Sequence, residues 1–116
     1  MKPSSAKAKG RILQQWVRDT LCSLFNLVPE EDIINRSSGA NGEDLILSPA
    51  ARKLLPISIE CKNRKAFAIY KDYIQALENA GKHNPVLIIK QNRSIPLAVV
   101  EAEYLFELLK EKKNDN

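Results

Sequence analysis

A chain of 116 residues and 13.1 kDa can bury a core of its own, but it is too short for a catalytic domain plus a separate binding domain. Its 18 Lys and Arg residues against 14 Asp and Glu residues give a net charge of +4, which excludes an acidic disordered chain and favours an anionic partner. We find no run of 18 apolar residues, no secretion signal and only two cysteines. These absences exclude a membrane span and a disulfide scaffold, and we expect a cytoplasmic protein with reduced thiols.

The elements predicted along the chain alternate between helix and strand. We expect a flexible basic arm at residues 1–9, a single domain at 10–113 and a frayed tail at 114–116. Apolar residues at three- and four-residue spacings predict a first helix that begins near Gly10 and ends before Pro29. The later elements are predicted as strands at 33–37, 45–47 and 57–62, a connection at 49–55, a helix at 66–80, strands at 85–90 and 95–100, and a helix at 103–112. The order αβββαββα predicts an α/β domain with a mixed sheet, in which the strands at 45–47 and 57–62 form an antiparallel pair.

One group of side chains has the composition of a catalytic site. Residues two apart in a strand point to the same face, so Glu60 and Lys62 project together while Cys61 points into the core. Asp44 opens the neighbouring strand, and we expect it to meet them at the edge of the sheet. Two carboxylates there would suit Mg²⁺ or Mn²⁺, and the lysine could orient or deprotonate a water or stabilise charge on a phosphate. A Glu-x-Lys strand is also common as a solvated face, so the residues alone leave that alternative open.

Basic and polar residues near this group predict a surface for a phosphate backbone. The residues expected to contact DNA are Lys9, Arg11, Arg36, Asn63, Arg64, Lys65 and Lys71. Scattered solubilising charge is the alternative for any one of them. Trp16 lies at helical spacing and is predicted to belong to the core rather than to stack on a base. No Gly-rich Walker loop is present, so we expect no nucleotide cofactor.

The motif order resembles a known nuclease family. Its parts are Gly42-Glu43-Asp44, then Ile59-Glu60-Cys61-Lys62, then a helix bearing Gln75. In this order the chain is similar to the PD-(D/E)XK nuclease superfamily, and within it to the small Holliday junction resolvases, including phage-encoded ones. The resemblance extends from residue 9 to the last helix. It implies a restriction-endonuclease-like core, with a central mixed five-stranded sheet flanked by helices.

The resemblance also implies roles for the site residues. Asp44 and Glu60 would hold Mg²⁺ or Mn²⁺, and the main-chain carbonyl of Cys61 would be a further ligand. Lys62 would be the catalytic lysine, and Gln75 matches a glutamine that recurs on a helix near such sites.

Other positions either follow or depart from the family pattern. Ser38 and Gly39, in the loop before Asp44, would approach the scissile strand. Glu43 stands where the superfamily name has Pro, and it is an additional candidate for the site. Many relatives carry a glutamate on the first helix, where this chain offers Gln14 or Gln15. The missing carboxylate would weaken binding of a second metal.

The sequence therefore predicts a Mg²⁺-dependent endodeoxyribonuclease that hydrolyses phosphodiester bonds. The expected substrate is a four-way junction in DNA recombination or repair, cut by a homodimer in a bacterial or phage-infected cytoplasm. Two alternatives stay open. One is a nicking, repair or restriction-type nuclease on other DNA. The other is a nucleic-acid-binding module with weak or lost catalysis.

Overall fold

In the computed structural model of the chain, residues 3–36 and 42–114 are described. The described residues form four helices and five strands, which confirms an α/β fold. The elements are α1 (Pro3–Phe25), β1 (Ile33–Asn35), β2 (Leu45–Leu47), α2 (Pro49–Leu54), β3 (Ile57–Asn63), α3 (Ile69–Ala80), β4 (Asn84–Lys90), β5 (Leu97–Val99) and α4 (Ala102–Asn114). Over these ranges, no helix is long and apolar enough to cross a bilayer.

The strands form two sheets rather than the predicted five-stranded sheet. β1 and β2 pair antiparallel, while the second sheet has the order β3-β4-β5. That second sheet is mixed, because β3 runs parallel to β4 and β4 antiparallel to β5. The predicted antiparallel pair of β2 with β3 is wrong. β2 has only three residues and is followed directly by Ser48, the N-cap of α2. The strand therefore ends before it can form a hydrogen-bonded ladder with β3.

Two further element predictions are wrong. α1 begins at Pro3 rather than near Gly10, so residues 3–9 are helical. Ala and Lys dominate this segment and are good helix formers. Residues 49–54 form α2 rather than a plain connection. The Ser48 side chain accepts a hydrogen bond from the Ala51 amide, and proline occupies the first turn, as is common at helix starts.

β3 is the central element for function, because helices cover it on both sides. Ile59 and Cys61 belong to the main core with Leu13 of α1. Glu60 and Lys62 project the other way and hydrogen-bond to side chains of α3. The alternation predicted for this strand is therefore confirmed. A smaller hydrophobic cluster lies on the α3 side of the sheet, and its buried residues are Ala76, Leu87 and Ile89.

Candidate active site

Asp44 lies at the seam between the two sheets and is anchored through both its main chain and its side chain. Its amide donates to the Ile59 carbonyl at 2.9 Å, and its carbonyl accepts from the Arg36 amide at 2.8 Å. Its Oδ2 accepts from the Cys61 amide at 2.6 Å. The carboxylate is therefore held directly against the main chain of β3, one residue from Glu60.

Glu60 faces Asp44 from the centre of β3. The residue is only 5% exposed, and its Oε1 accepts a hydrogen bond from Asn79 Nδ2 at 2.8 Å. The negative charge of Asp44 acts on the Glu60 carboxyl, which shows that the two groups are neighbours. The structure thus brings the two predicted carboxylates together across the seam.

The two carboxyls have perturbed acidities. Burial raises the pKa of Asp44, against the opposing effects of the Cys61 amide and the positive charge of Lys62. Burial also raises the pKa of Glu60, and the negative charge of Asp44 adds to it. The pair thus holds a proton more readily than two isolated carboxyls would. A cation between them would offset the repulsion and displace that proton.

Lys62 and Gln75 complete the group. Lys62 Nζ donates to Gln75 Oε1 at 3.1 Å, which ties the end of β3 to the exposed face of α3. The positive charge of Lys62 acts on both carboxyls, so the ammonium lies beside the pair. We call Asp44, Glu60, Lys62, Gln75 and Asn79 the carboxylate–lysine cluster.

Asn79 was missed in the sequence analysis, although a signal for it exists. It follows Gln75 by four residues on α3, and residues at that spacing share a helix face. The two amide side chains hold the two functional groups of β3, Gln75 the ammonium of Lys62 and Asn79 the carboxyl of Glu60.

Arg36 has a different environment from the one expected for a DNA contact. Its Nε donates to the Glu43 carbonyl at 2.5 Å. Its guanidinium also lies against Gly42, where an added Cβ would come within 3.2 Å of it and where φ is +104°. Arg36 therefore supports the backbone that leads into Asp44. Its positive charge also partly opposes the rise in the pKa of Asp44 that burial causes.

Glu43 does not join the carboxylate pair. Its side chain is 10% exposed and forms an ion pair with Arg52 of α2. Gln14 is half-buried on α1, and within the described residues no hydrogen bond joins it to Asp44 or Glu60. Glu43 is therefore engaged by Arg52 rather than by the carboxylate pair.

The chemistry of the cluster fits a hard divalent cation with few protein ligands. Over residues 3–36 and 42–114, no three His, Cys, Asp or Glu side chains come together as a metal-binding group. Two carboxylates are nevertheless the usual protein contribution to a Mg²⁺ site whose other ligands are waters and phosphate oxygens. The Cys61 thiol is an unsuitable ligand, because burial raises its pKa and keeps it protonated.

The predicted DNA contacts fall into separate regions. Arg64 is not a free cation, because its Nη1 bonds the buried Asp72 at 2.9 Å. Arg64, Lys71 and Gln75 line an open groove of about 490 Å³ beside α3. The other positions are distributed over the surface: Lys65 is exposed after β3, Arg11 is exposed on α1, and Lys9 and Asn63 line a second groove. Ser38 and Gly39 lie outside the described residues.

Comparisons with family models, with curated proteins and with solved structures found no match for this chain. A functional assignment therefore depends on the geometry of the site.

Proposed function

We propose that this chain is a Mg²⁺-dependent endonuclease of the PD-(D/E)XK type, which hydrolyses phosphodiester bonds in DNA. The observation that carries the proposal is the convergence of Asp44, Glu60 and Lys62 on one side of β3. Two partly desolvated carboxylates beside an ammonium group are costly to the folded state, because their charges are withdrawn from water. A functional site explains that arrangement better than a solvated surface does.

Each residue has a distinct part in the proposed reaction. A divalent cation held by Asp44 and Glu60 would polarise the phosphoryl group and lower the pKa of the attacking water. The Cys61 amide keeps the Asp44 carboxylate in place, and Asn79 does the same for Glu60. Lys62, positioned by Gln75, is close enough to the pair to orient the water or to stabilise negative charge on the phosphate.

The wider fold is compatible with this assignment. We infer that the two sheets correspond to the central five-stranded sheet of the restriction-endonuclease-like core, interrupted at its seam. The bond from the Asp44 amide to the Ile59 carbonyl supports this inference, because it links β2 to β3 where a continuous ladder would begin.

The proposed substrate is a four-way DNA junction, cut by a homodimer. One small domain with one site cuts one strand, so paired cuts need a second copy. α4 supports such a dimer: none of its described side chains is buried, and its exposed large apolar residues are Leu105, Phe106, Leu108 and Leu109.

Cleavage of a synthetic four-way junction tests the catalytic assignment. We expect cutting in Mg²⁺ and none in EDTA. The near-isosteric change Asp44→Asn should lower the rate at least ~100-fold, because it removes one charge from the metal ligands, while junction binding changes little. Cleavage in EDTA, or wild-type cleavage by Asp44→Asn, would refute the assignment.

A panel of junction, flap, duplex and single-stranded DNA separates the junction-specific proposal from the other nucleases. Symmetric paired nicks confined to the junction would support a resolvase, whereas cuts in flaps or duplex would favour a nicking, repair or restriction-type enzyme.

Sedimentation of the Phe106→Glu variant tests the dimer. It should sediment as a monomer, while Leu24→Glu, a matched change at an exposed leucine of α1, should behave as wild type.

A further inference from the structure

A second groove lies on the opposite face of β3 from the carboxylate–lysine cluster. It is an open groove of about 500 Å³ between α1 and the segment that follows β4. The residues that matter here are Lys9, Trp16, Asn63, Lys90, Asn92 and Arg93. We call it the Trp16 groove.

The charge of the Trp16 groove is one-sided. Of the nine described residues that line it, three are cationic and none is acidic. Lys9 is held in place, because its Nζ donates to Asn92 Oδ1 at 2.8 Å across the groove. In a chain with a net charge of only +4, three cations without a neighbouring carboxylate are a concentrated positive patch.

The indole of Trp16 supplies an aromatic face. Its predicted place in the core is wrong, because the residue is 49% exposed. On α1, Leu13 and Val17 take the buried positions at 2% and 5% exposure, and Trp16 is left at the margin of that stripe. An exposed indole beside several cations is the combination with which proteins bind single-stranded nucleic acid, since the base stacks on the ring and the phosphates meet the cations.

The backbone conformation of Arg93 also supports a binding role for the groove. Arg93 has a φ of +60°, in the left-handed region that glycine adopts without strain and that other residues rarely occupy. The chain nevertheless carries a long cationic side chain at this position on the rim of the groove. Residues held in such conformations occur preferentially at functional sites.

We propose that the Trp16 groove binds an unpaired nucleotide of a DNA strand, with the base on the indole of Trp16 and the flanking phosphates at Lys9, Lys90 and Arg93. Lys62 and Asn63 are consecutive in β3, so the groove and the carboxylate–lysine cluster open on opposite faces at the same end of the strand. Binding in the groove does not depend on cleavage, so the inference can hold or fail separately from the proposed nuclease activity.

The protein contains one tryptophan and three tyrosines, so fluorescence excited selectively at tryptophan reports on Trp16 alone. We would titrate the full chain with a 15-nucleotide oligothymidylate in EDTA, where the proposed cleavage does not occur. The expected result is saturable quenching that is stronger than with a blunt duplex of equal length and that weakens as salt is added. The Glu60→Gln variant should show the same quenching, which separates binding from catalysis. Absence of quenching would overturn the proposal. It would instead favour a protein partner for the apolar part of the groove.

Two variants then test the base and the phosphate contacts separately, with affinity measured by the anisotropy of a labelled oligothymidylate. Trp16→Leu should weaken binding roughly 5- to 150-fold, the range found on losing one stacked base. Arg93→Gly should weaken binding and reduce the slope of log affinity against log salt by about 0.7, without loss of thermal stability, because glycine tolerates the positive φ.

Lys82→Ala is the matched control for the loss of one positive charge. It precedes β4, whereas Arg93 follows it, so the two positions are separated by the length of that strand, about 20 Å. This control should bind as wild type. Unchanged binding in both Trp16→Leu and Arg93→Gly would refute the proposal. If Trp16→Leu fails to fold, as judged by circular dichroism, Arg93→Gly decides the question.

Discussion

Replacing Glu60 by Gln should stabilise the metal-free protein at neutral pH. The change keeps the shape of the side chain and its acceptor for the Asn79 amide, but it removes one of two adjacent charges. Residues selected for catalysis commonly reduce the stability of the fold, and their neutralisation commonly restores some of it.

Burial disfavours the charged form of Glu60, and the neighbouring negative charge of Asp44 disfavours it further. The Cys61 amide and the Asn79 side chain each donate a hydrogen bond to one of these carboxylates. Both acceptors are kept in the variant, so the gain comes from removing the buried charge. We expect a gain of about 1 kcal/mol, which should raise the melting temperature by about 4 °C.

The pH dependence of this gain has a definite sign. The folded-state pKa of Glu60 is raised, so the stability contributed by its neutral form is complete below the unfolded-state pKa of about 4.3 and is lost as the pH rises through the folded-state value. Glu60→Gln should therefore exceed wild type in stability at pH 7.5 and equal it near pH 4.

Thermal unfolding in EDTA over this pH range, followed by circular dichroism, measures the difference. Glu31→Gln is the control, because Glu31 is exposed in the loop before β1. Adding Mg²⁺ at pH 7.5 should stabilise wild type more than Glu60→Gln. A variant that is less stable than wild type at pH 7.5, or a gain that persists unchanged at pH 4, would refute the account of the carboxylate pair.

Three further substitutions test the parts of the site and its support. Lys62→Gln should lower cleavage at least ~100-fold with little change in DNA affinity, because the ammonium acts on the reacting phosphate rather than on the duplex. Asn79→Leu should raise the Mg²⁺ concentration needed for half-maximal cleavage by about 10-fold, because it releases the Glu60 carboxyl. Arg52→Met should destabilise the fold by about 3 kcal/mol in urea denaturation, because it leaves the buried Glu43 unpaired.

Each of these expectations has a contradicting result. Loss of DNA binding in Lys62→Gln would make the lysine a binding residue. A Mg²⁺ requirement that is unchanged in Asn79→Leu would show that the amide does not position Glu60. For Arg52, the double variant with Glu43→Gln should recover part of the lost stability. No recovery would mean that Arg52 acts mainly through its bond to the Ile57 carbonyl.

Local patterns in the sequence were sufficient to place the main catalytic candidates. Apolar and polar residues alternate from Ile57 to Lys62, and strand geometry alone then points Glu60 and Cys61 in opposite directions. The position of Gln75 on α3 follows from the apolar spacing of that helix.

The features that the sequence did not reveal belong to very short elements or depend on contacts between residues far apart in the chain. The pairing of β2 with β1 rather than with β3 is set by a three-residue strand, which has too little pattern to choose a partner. The six residues of α2 are too few to show a helical period. The buried partner of Arg64, Asp72, becomes apparent only when α3 packs beside β3.

The exposure of Trp16 is a similar case. Helical spacing places it near the apolar stripe of α1, but the register of α1 on the sheet decides which residues of that stripe are covered. Leu13 and Val17 occupy the covered positions, and the indole remains at the edge.

The most direct test of the central claim is cleavage of a synthetic four-way junction by wild type, Glu60→Gln and Glu31→Gln, each in Mg²⁺ and in EDTA. The account predicts paired cuts by wild type and Glu31→Gln in Mg²⁺ only, and at least ~100-fold slower cutting by Glu60→Gln with junction binding retained. Equal cleavage by Glu60→Gln and Glu31→Gln, or cleavage by wild type in EDTA, would contradict it.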